Sequence, residues 1–249
     1  MAIAVFGDIH GNLEALEAII KSIKKNRKIK QAYFLGDAIT FGPDSSACLK
    51  LLAKHKDKIQ CVIGNHEQRM VRYDSSVATM TYAGIKHMEY IYKSLDNEDL
   101  RFIKTMPNEI KVNYKGFNIL FAHYSHDENG VVRDDYDEFS ESHLENLFGD
   151  KNADVVFFGH IHSRKIIINE SRKSYICNGS SGCVKGDKTF YTYFDVCGHL
   201  CDDLNYDIYR VNVNFNRKRF EEKMRTFDIP EKENFGKFCF GLEFPKVNP

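Results

Sequence analysis

No run of apolar residues in this chain approaches the ~18 that a membrane-spanning helix requires, so no such helix is expected. Neither sign of charge is in excess, because 35 Lys and Arg oppose 35 Asp and Glu. With neutral histidines no long-range field gathers polyanions, which argues against a basic nucleic-acid binder and against a membrane-surface protein. The apolar opening, Ala2 to Phe6, is too short for a signal peptide and lacks its basic lead, so a cytoplasmic protein is expected. Repeats, low-complexity tracts and linkers are also missing. The cysteines, at positions 48, 61, 177, 183, 197, 201 and 239, are odd in number in a chain large enough to fold without staples. Free thiols are therefore predicted rather than a disulfide framework.

What remains is ordinary for a globular protein, with 43% hydrophobic and 28% charged residues. A length of 249 residues fits one α/β domain spanning 1–249, with a helical insertion at 68–107 and a tail at 230–249 that packs back on the body. Residues 2–6 read as a strand that stops at Gly7-Asp8, and Asn12 is placed to cap a helix striped by Leu13, Leu16, Ile20 and Ile23. The unit repeats with a strand at 32–35 and a helix after Asp44, and a third strand at 59–63 stops at Gly64. This alternation predicts a sheet that is mainly parallel at its start. From Ser75 to Met106 the period is helical, with Met88, Ile91, Tyr92 and Leu95 on one stripe. Strands are then predicted at 109–114, 117–122, 154–158, 165–168, 174–176, 190–196 and 206–213, with helices at 139–148 and 216–226.

Polar residues collect where apolar runs end: Asp8 with His10, Asp37, Asn65 with His66 and Glu67, His123, and His160 with His162. In an open α/β sheet the carboxyl ends of the strands share one edge, so groups distant in sequence can converge there. Carboxylate, imidazole and amide oxygen together suit Mn, Fe, Ni, Co or Zn, whereas an oxygen-only set would suit Mg or Ca. There are too many such ligands for one tetrahedral zinc and enough for two metals bridged by a carboxylate. Taken singly each cluster has a plain structural reading, Asp8 as a helix cap, Asn65 as a turn residue and His123 as a core histidine. Their joint position at strand ends favours a site.

The stretches Gly7 to Asn12, Gly36-Asp37 through Gly42-Pro43, Gly64 to Glu67, His123 and Gly159 to His162 resemble, in order, the five motifs of the calcineurin-like metallophosphoesterases. The similarity covers roughly residues 2 to 228 and is strongest toward the small prokaryotic phosphodiesterase-like branch. It implies a four-layer sandwich of the βαββ type, two packed mixed β-sheets flanked by helices. It also implies a site for two divalent metal ions, with manganese first and Fe, Ni, Co or Zn as alternatives. Asp8, His10, Asp37 and His162 would hold one ion, and Asp37, Asn65, His123 and His160 the other. His66 resembles the acid that assists the leaving group, with Glu67 orienting it. The implied activity is hydrolysis of a phosphodiester or phosphomonoester of a small substrate by in-line attack of hydroxide. Rival readings are a non-catalytic scaffold of the same fold and a nuclease.

Departures from the family pattern are also visible. The phosphate-gripping Arg of protein phosphatases is absent from the stretch Gly36 to Pro43, and Cys177-Asn178-Gly179-Ser180 stands where the small branch often has a proline in the loop. Other signals have plainer readings: Cys197 to Cys201 as a hairpin turn rather than a zinc knuckle, the acidic Asp134, Asp135, Asp137 and Glu138 as a solvated helix start, and Gly182 to Thr189 as no phosphate loop.

Overall fold

A computed structural model of the chain describes residues 1–72, 80–133, 139–196 and 206–244. The acidic run at 134–138 and the segment Cys197 to Cys201 lie outside the described residues.

The strand Ala2–Phe6 (β1) shows how the layers arise. Its side chains alternate, so Ala2, Ala4 and Phe6 pack on helices while Ile3 and Val5 face a second sheet. The helices in question are Leu13–Lys25 (α1) and Ser45–Lys54 (α2), which contribute Leu16, Ile19, Ile20, Cys48, Leu49 and Leu52. Asn12 caps α1 as its sequence position suggests, its side chain accepting from the amide of Ala15 at 3.1 Å. Ile29–Phe34 (β2) and Ile59–Cys61 (β3) pair parallel in the order β1, β2, β3. These connections are the βαβ units that the alternation predicted. The third strand is shorter than expected because Asn65–Val71 (α3) begins directly at the motif.

Tyr82–Ser94 (α4) and Asn97–Thr105 (α5) form the insertion. Met88, Ile91 and Ile103 join the same core as α1 and α2, while Tyr92, read into that stripe, is 37% exposed. The second sheet is built from Glu109–Tyr114 (β4), Phe117–Ala122 (β5), Val155–Phe158 (β6), Lys165–Ile168 (β7) and Ser174–Cys177 (β8), in the order β4-β5-β6-β8-β7. Strands β5, β6 and β8 are parallel and the two outer ones antiparallel. Lys188–Val196 (β9) and Tyr206–Asn214 (β10) complete the first sheet in the order β10-β9-β1-β2-β3.

Between the sheets lie Ile3, Val5, Ile119, Phe121, Val155, Phe157 and Ile176. The rings of Tyr33 and Phe121 stack across the layer at 3.8 Å. Glu141–Phe148 (α6), capped by Ser140, covers the outer face of the second sheet through Leu144, Leu147 and Phe148. The layer order is thus helix, sheet, sheet, helix.

Arg217–Thr226 (α7) follows, and then Lys232–Phe240 (α8), a helix within the tail for which the sequence predicts no element. Phe220, Met224, Phe240 and Leu242 bury against one another. Arg217 fixes this segment by donating to the carbonyls of Val184 at 2.7 Å and Phe240 at 2.5 Å. Among the described residues no helix is long and apolar enough to cross a membrane, and Cys48, Cys61, Cys177, Cys183 and Cys239 are free thiols.

Candidate metal centre

Strands β1, β2 and β3 of one sheet and β5 and β6 of the other end at the same edge. Asp8 and His10 follow β1, Asp37 follows β2, Asn65 to Glu67 open α3, His123 follows β5, and His160 and His162 follow β6. Asp8, His10, Asp37, His160 and His162 all have left-handed backbones, with φ of 52°, 49°, 59°, 67° and 59°. For a residue with a Cβ that conformation is uncommon and costs of order 1–3 kcal/mol. It turns each chain sharply at the strand exit and aims the side chains inward. Close approach of the backbone does the rest: a Cβ on Gly64 would lie 2.4 Å from the Asp37 amide nitrogen.

Asp37 occupies the middle. Its Oδ2 lies 3.3 Å from His123 Nε2, 3.8 Å from His10 Nε2 and 3.9 Å from His66 Nε2. On one side His10 Nε2 meets His162 Nε2 at 2.9 Å, and Asp8 Oδ1 lies 3.6 Å from His162 Nε2. On the other, His123 Nε2 is 2.9 Å from Asn65 Oδ1 and 3.3 Å from His160 Nδ1. The groupings Asp8, Asp37, His123 and His10, Asp37, His66 each bring their ligand atoms within 4.8 Å of one another. So does a third grouping, His10, His162 and Cys183.

The donor set fits divalent metal ions. His10 Nδ1 lies 3.1 Å from the Ile39 carbonyl and His123 Nδ1 lies 2.7 Å from that of Leu35. A carbonyl only accepts, so each Nδ1 carries a proton and each Nε2, directed at Asp37, is the nitrogen left to face an ion once it gives up any proton, the orientation that metal-ligating imidazoles adopt. Asp8 Oδ2 is buried with no hydrogen-bond partner among the described residues, an atom whose desolvation a cation would offset.

Electrostatics without a cation show the same tension. Burial pushes the Asp8 carboxyl up to about 8, with the Asp37 charge adding to it and His123 opposing. Burial also acts on Asp37, but the neighbouring His123 and His66 outweigh it and hold that carboxyl well below the usual range. His123 is raised to about 9, the charge of Asp37 and its hydrogen bond overcoming the burial that alone would lower it. Burial lowers His66 and His160 to about 3. Burial thus works chiefly against charge on Asp8, while the imidazoles around Asp37 favour its ionised form.

Glu67 requires a correction. It was expected to orient His66, but its carboxylate accepts from the amides of Asp37 and Ala38, both at 2.8 Å, and of Gly64 at 3.0 Å. Its work is to tie the loop after β2 to the start of α3. The partner of His66 is Thr40, whose hydroxyl donates to the Ile39 carbonyl at 2.5 Å and lies 3.1 Å from His66 Nδ1. Nothing in the sequence around Thr40 marks that role.

Above these groups opens a cleft of about 420 Å³, floored by Asp37, Asn65, His66 and His160 and walled by Phe41, Phe235 and Phe238. Phe41 and Phe235 stack at 4.6 Å, and His87 on α4 accepts from the Phe41 amide at 3.2 Å while its Nδ1 lies 3.1 Å from the Pro230 carbonyl. The insertion and α8 are thereby fixed to the site. Among the described residues no arginine lines this cleft, neither Arg69, Arg72 nor Arg164, while Lys185 and Lys237 rim an adjoining depression that shares His162.

A family model described as calcineurin-like phosphoesterase matches residues 1–164. The chain belongs to this family. Among curated relatives of the phosphoesterase, an uncharacterised protein of Methanocaldococcus jannaschii is 29% identical, over 92% of this chain and 94% of its own length. A symmetrical bis(5'-nucleosyl)-tetraphosphatase of Haemophilus ducreyi is 25% identical over 49% of the chain, and the matched region spans only 44% of that enzyme. Among solved structures, a hypothetical protein of Pyrococcus horikoshii superposes with a TM-score of 0.75 at 17% identity, covering 98% of this chain and 99% of that one. A metallophosphoesterase of Sphaerobacter thermophilus gives 0.67 at 18% identity, covering 93% and 96%. At these identities the superpositions establish the fold, two mixed five-stranded sheets flanked by helices.

Proposed function

We propose that this phosphoesterase is a dinuclear metal-dependent hydrolase of a phosphodiester or phosphomonoester. The observation that carries the reading is Asp37 Oδ2, which lies between His10 Nε2 and His123 Nε2 at 3.8 and 3.3 Å. Asp8, His10, Asp37 and His162 would hold one ion, and Asp37, Asn65, His123 and His160 the other, with manganese the first ion to supply. Bound divalent ions supply Lewis-acid polarisation of phosphoryl oxygens and lower the pKa of a coordinated water from 15.7 toward about 7.

The chain's own residues then do the following. Asp37 draws both sides of the site together, and Asp8 and the imidazoles would hold the ions against which the phosphoryl group is placed. His66, steadied at Nδ1 by Thr40, presents Nε2 to the leaving oxygen as general acid. It is neutral in the substrate-free chain, and the anionic phosphoryl group is the partner that favours its protonated form. The stacked rings of Phe41 and Phe235 shield one side of the reacting group from water.

With no arginine among the described residues that line the cleft, a fully ionised monoester meets fewer cationic partners here than in a phosphatase site that has one, whereas a singly charged diester needs less neutralisation. The expected result is that kcat/KM for bis(p-nitrophenyl) phosphate with added manganese matches or exceeds that for p-nitrophenyl phosphate, and that chelation abolishes both. A monoester preference of about a hundredfold or more would overturn the diester assignment.

The aromatic wall favours a finer substrate class, an ester or anhydride carrying a nucleobase, since rings such as Phe238, 83% exposed at the mouth, offer a stacking face. The names of relatives that act on bis(5'-nucleosyl) tetraphosphates accord with this. Phe238→Ala is expected to raise KM for a dinucleoside polyphosphate and leave that for p-nitrophenyl phosphate unchanged; equal effects on both would remove the nucleobase from the assignment.

A further inference from the structure

The segment after β8 is bound to the first motif loop through Ser180, Ser181 and Gly182. Ser181 and Gly182 donate their amides to the carbonyls of Gly7 and Asp8, each at 3.0 Å, and the Ser180 hydroxyl donates to the Asp8 carbonyl at 2.7 Å. Asn12, besides capping α1, donates from Nδ2 to the Gly182 carbonyl at 2.9 Å. Only glycine fits at 182, where a Cβ would meet the Ile9 carbonyl oxygen at 1.9 Å. The next residue, Cys183, is held in turn by the hydrogen bond its backbone amide donates to Ser180 Oγ at 2.8 Å. Its sulfur lies within 4.8 Å of ring nitrogens of both His10 and His162, which are themselves 2.9 Å apart. Asp8, whose Oδ1 lies 3.6 Å from His162 Nε2, has its other oxygen buried with no hydrogen-bond partner among the described residues.

We propose that Cys183 is a thiolate ligand to the metal ion held by Asp8, His10 and His162. This rests on the two-metal reading and adds to it that the two positions differ in kind. Thiolate is a soft ligand that selects zinc, cobalt or ferrous iron, whereas the oxygen-rich and imidazole set of Asn65, His123 and His160 accepts manganese. Coordination exchanges the thiol proton for the metal and releases it to solvent, with no change in oxidation state. The nearby Cys239, on α8, is the control, because it adjoins Cys183 but does not join the grouping with the two imidazoles.

The test titrates chelator-treated full-length protein with cobalt(II) and records its spectrum. The expected wild-type result is visible bands of bound cobalt together with a near-ultraviolet sulfur-to-cobalt charge-transfer band. Cys183→Ser should lose the near-ultraviolet band and keep bound cobalt, and Cys239→Ser should retain both. Cobalt bound by wild type without that band overturns the cysteine assignment and leaves the two-metal reading standing; no cobalt bound at all overturns both. Persistence of the band in Cys183→Ser, or its loss in Cys239→Ser, also overturns it. Because the serine variant can fail to fold, zinc-edge X-ray absorption of the wild type gives a second reading. A sulfur scatterer at about 2.3 Å is expected, and a shell of only nitrogen and oxygen contradicts the proposal.

Discussion

The bodies and the exits of the same strands obey opposite rules. Within β1, residues 2–6 are apolar, 3% exposed or less, and free of left-handed backbone, and Phe157 in β6 is fully buried between the sheets. Two residues beyond each of these strands lie carboxylates and imidazoles as deeply buried as the core, on backbones with positive φ. The interior stabilises by removing apolar area from water at about 25 cal/mol per Å². The exits give some of that back as strain and as desolvated charge, a cost that cations would offset. A stable sandwich thus carries a locally unstable rim, and it is the rim that has chemistry to perform.

Each half of this contrast can be attacked separately. His66→Asn should lower kcat by about 10² to 10⁴ while both metals stay bound, since the imidazole is proposed to donate a proton and hold no ion. Metal loss in parallel with activity would move His66 among the ligands. Phe157→Ala should do the reverse, costing about 3–5 kcal/mol of stability in a denaturant titration while kcat and metal content hold. If activity fell with stability well below the melting transition, interior and rim would not be separable.

Stability against pH sharpens the comparison further. In the metal-free chain Asp8 titrates near 8 when folded and near 3.8 when unfolded, so between these values the unfolded chain binds fewer protons and stability falls as pH rises. His123, raised from 6.5 to about 9, contributes stability that is complete below 6.5 and lost through 9. The lowered His10, His66 and His160 act the other way only below their ordinary 6.5. Chelator-treated protein should therefore lose Tm from about pH 7 to about pH 9, and Asp8→Asn should lessen the loss. A flat or rising Tm would show that the rim is not strained by charge. Smallest of the expected effects, Thr40→Val should reduce kcat by about tenfold or less, the worth of one hydrogen bond to His66, with metals retained. No change would leave Thr40 a structural residue.

How much of this was legible follows the same division. The strands at 109–114 and 117–122 run as expected because alternation and a Lys115-Gly116 turn are local signals. The clusters at Asp8, Asp37, Asn65, His123 and His160 were legible as strand ends, and their convergence follows from parallel topology. What was not legible depends on partners far along the chain. Thr40 reaches His66 only after two strands pair, and Glu67 turns from His66 to the backbone because unsatisfied amides at 37 and 38 lie nearer. Cys183 is one of seven predicted free thiols in the sequence, and its place near His10 and His162 depends on the loop after β8 folding back on Gly7 and Asp8. The helix 232–240 was hidden because its apolar face, including Cys239 and Phe240, is broken by Gly236 and followed by charge.

The central claim is that Asp37 is shared by two ions, and metal analysis of Asp37→Asn beside the wild type tests it most directly. After reconstitution and removal of loosely held metal, the wild type should retain two ions per chain, and the variant fewer than two, because a neutral amide replaces the one anionic oxygen between His10 and His123. Two ions held as tightly by the variant as by the wild type would contradict the account.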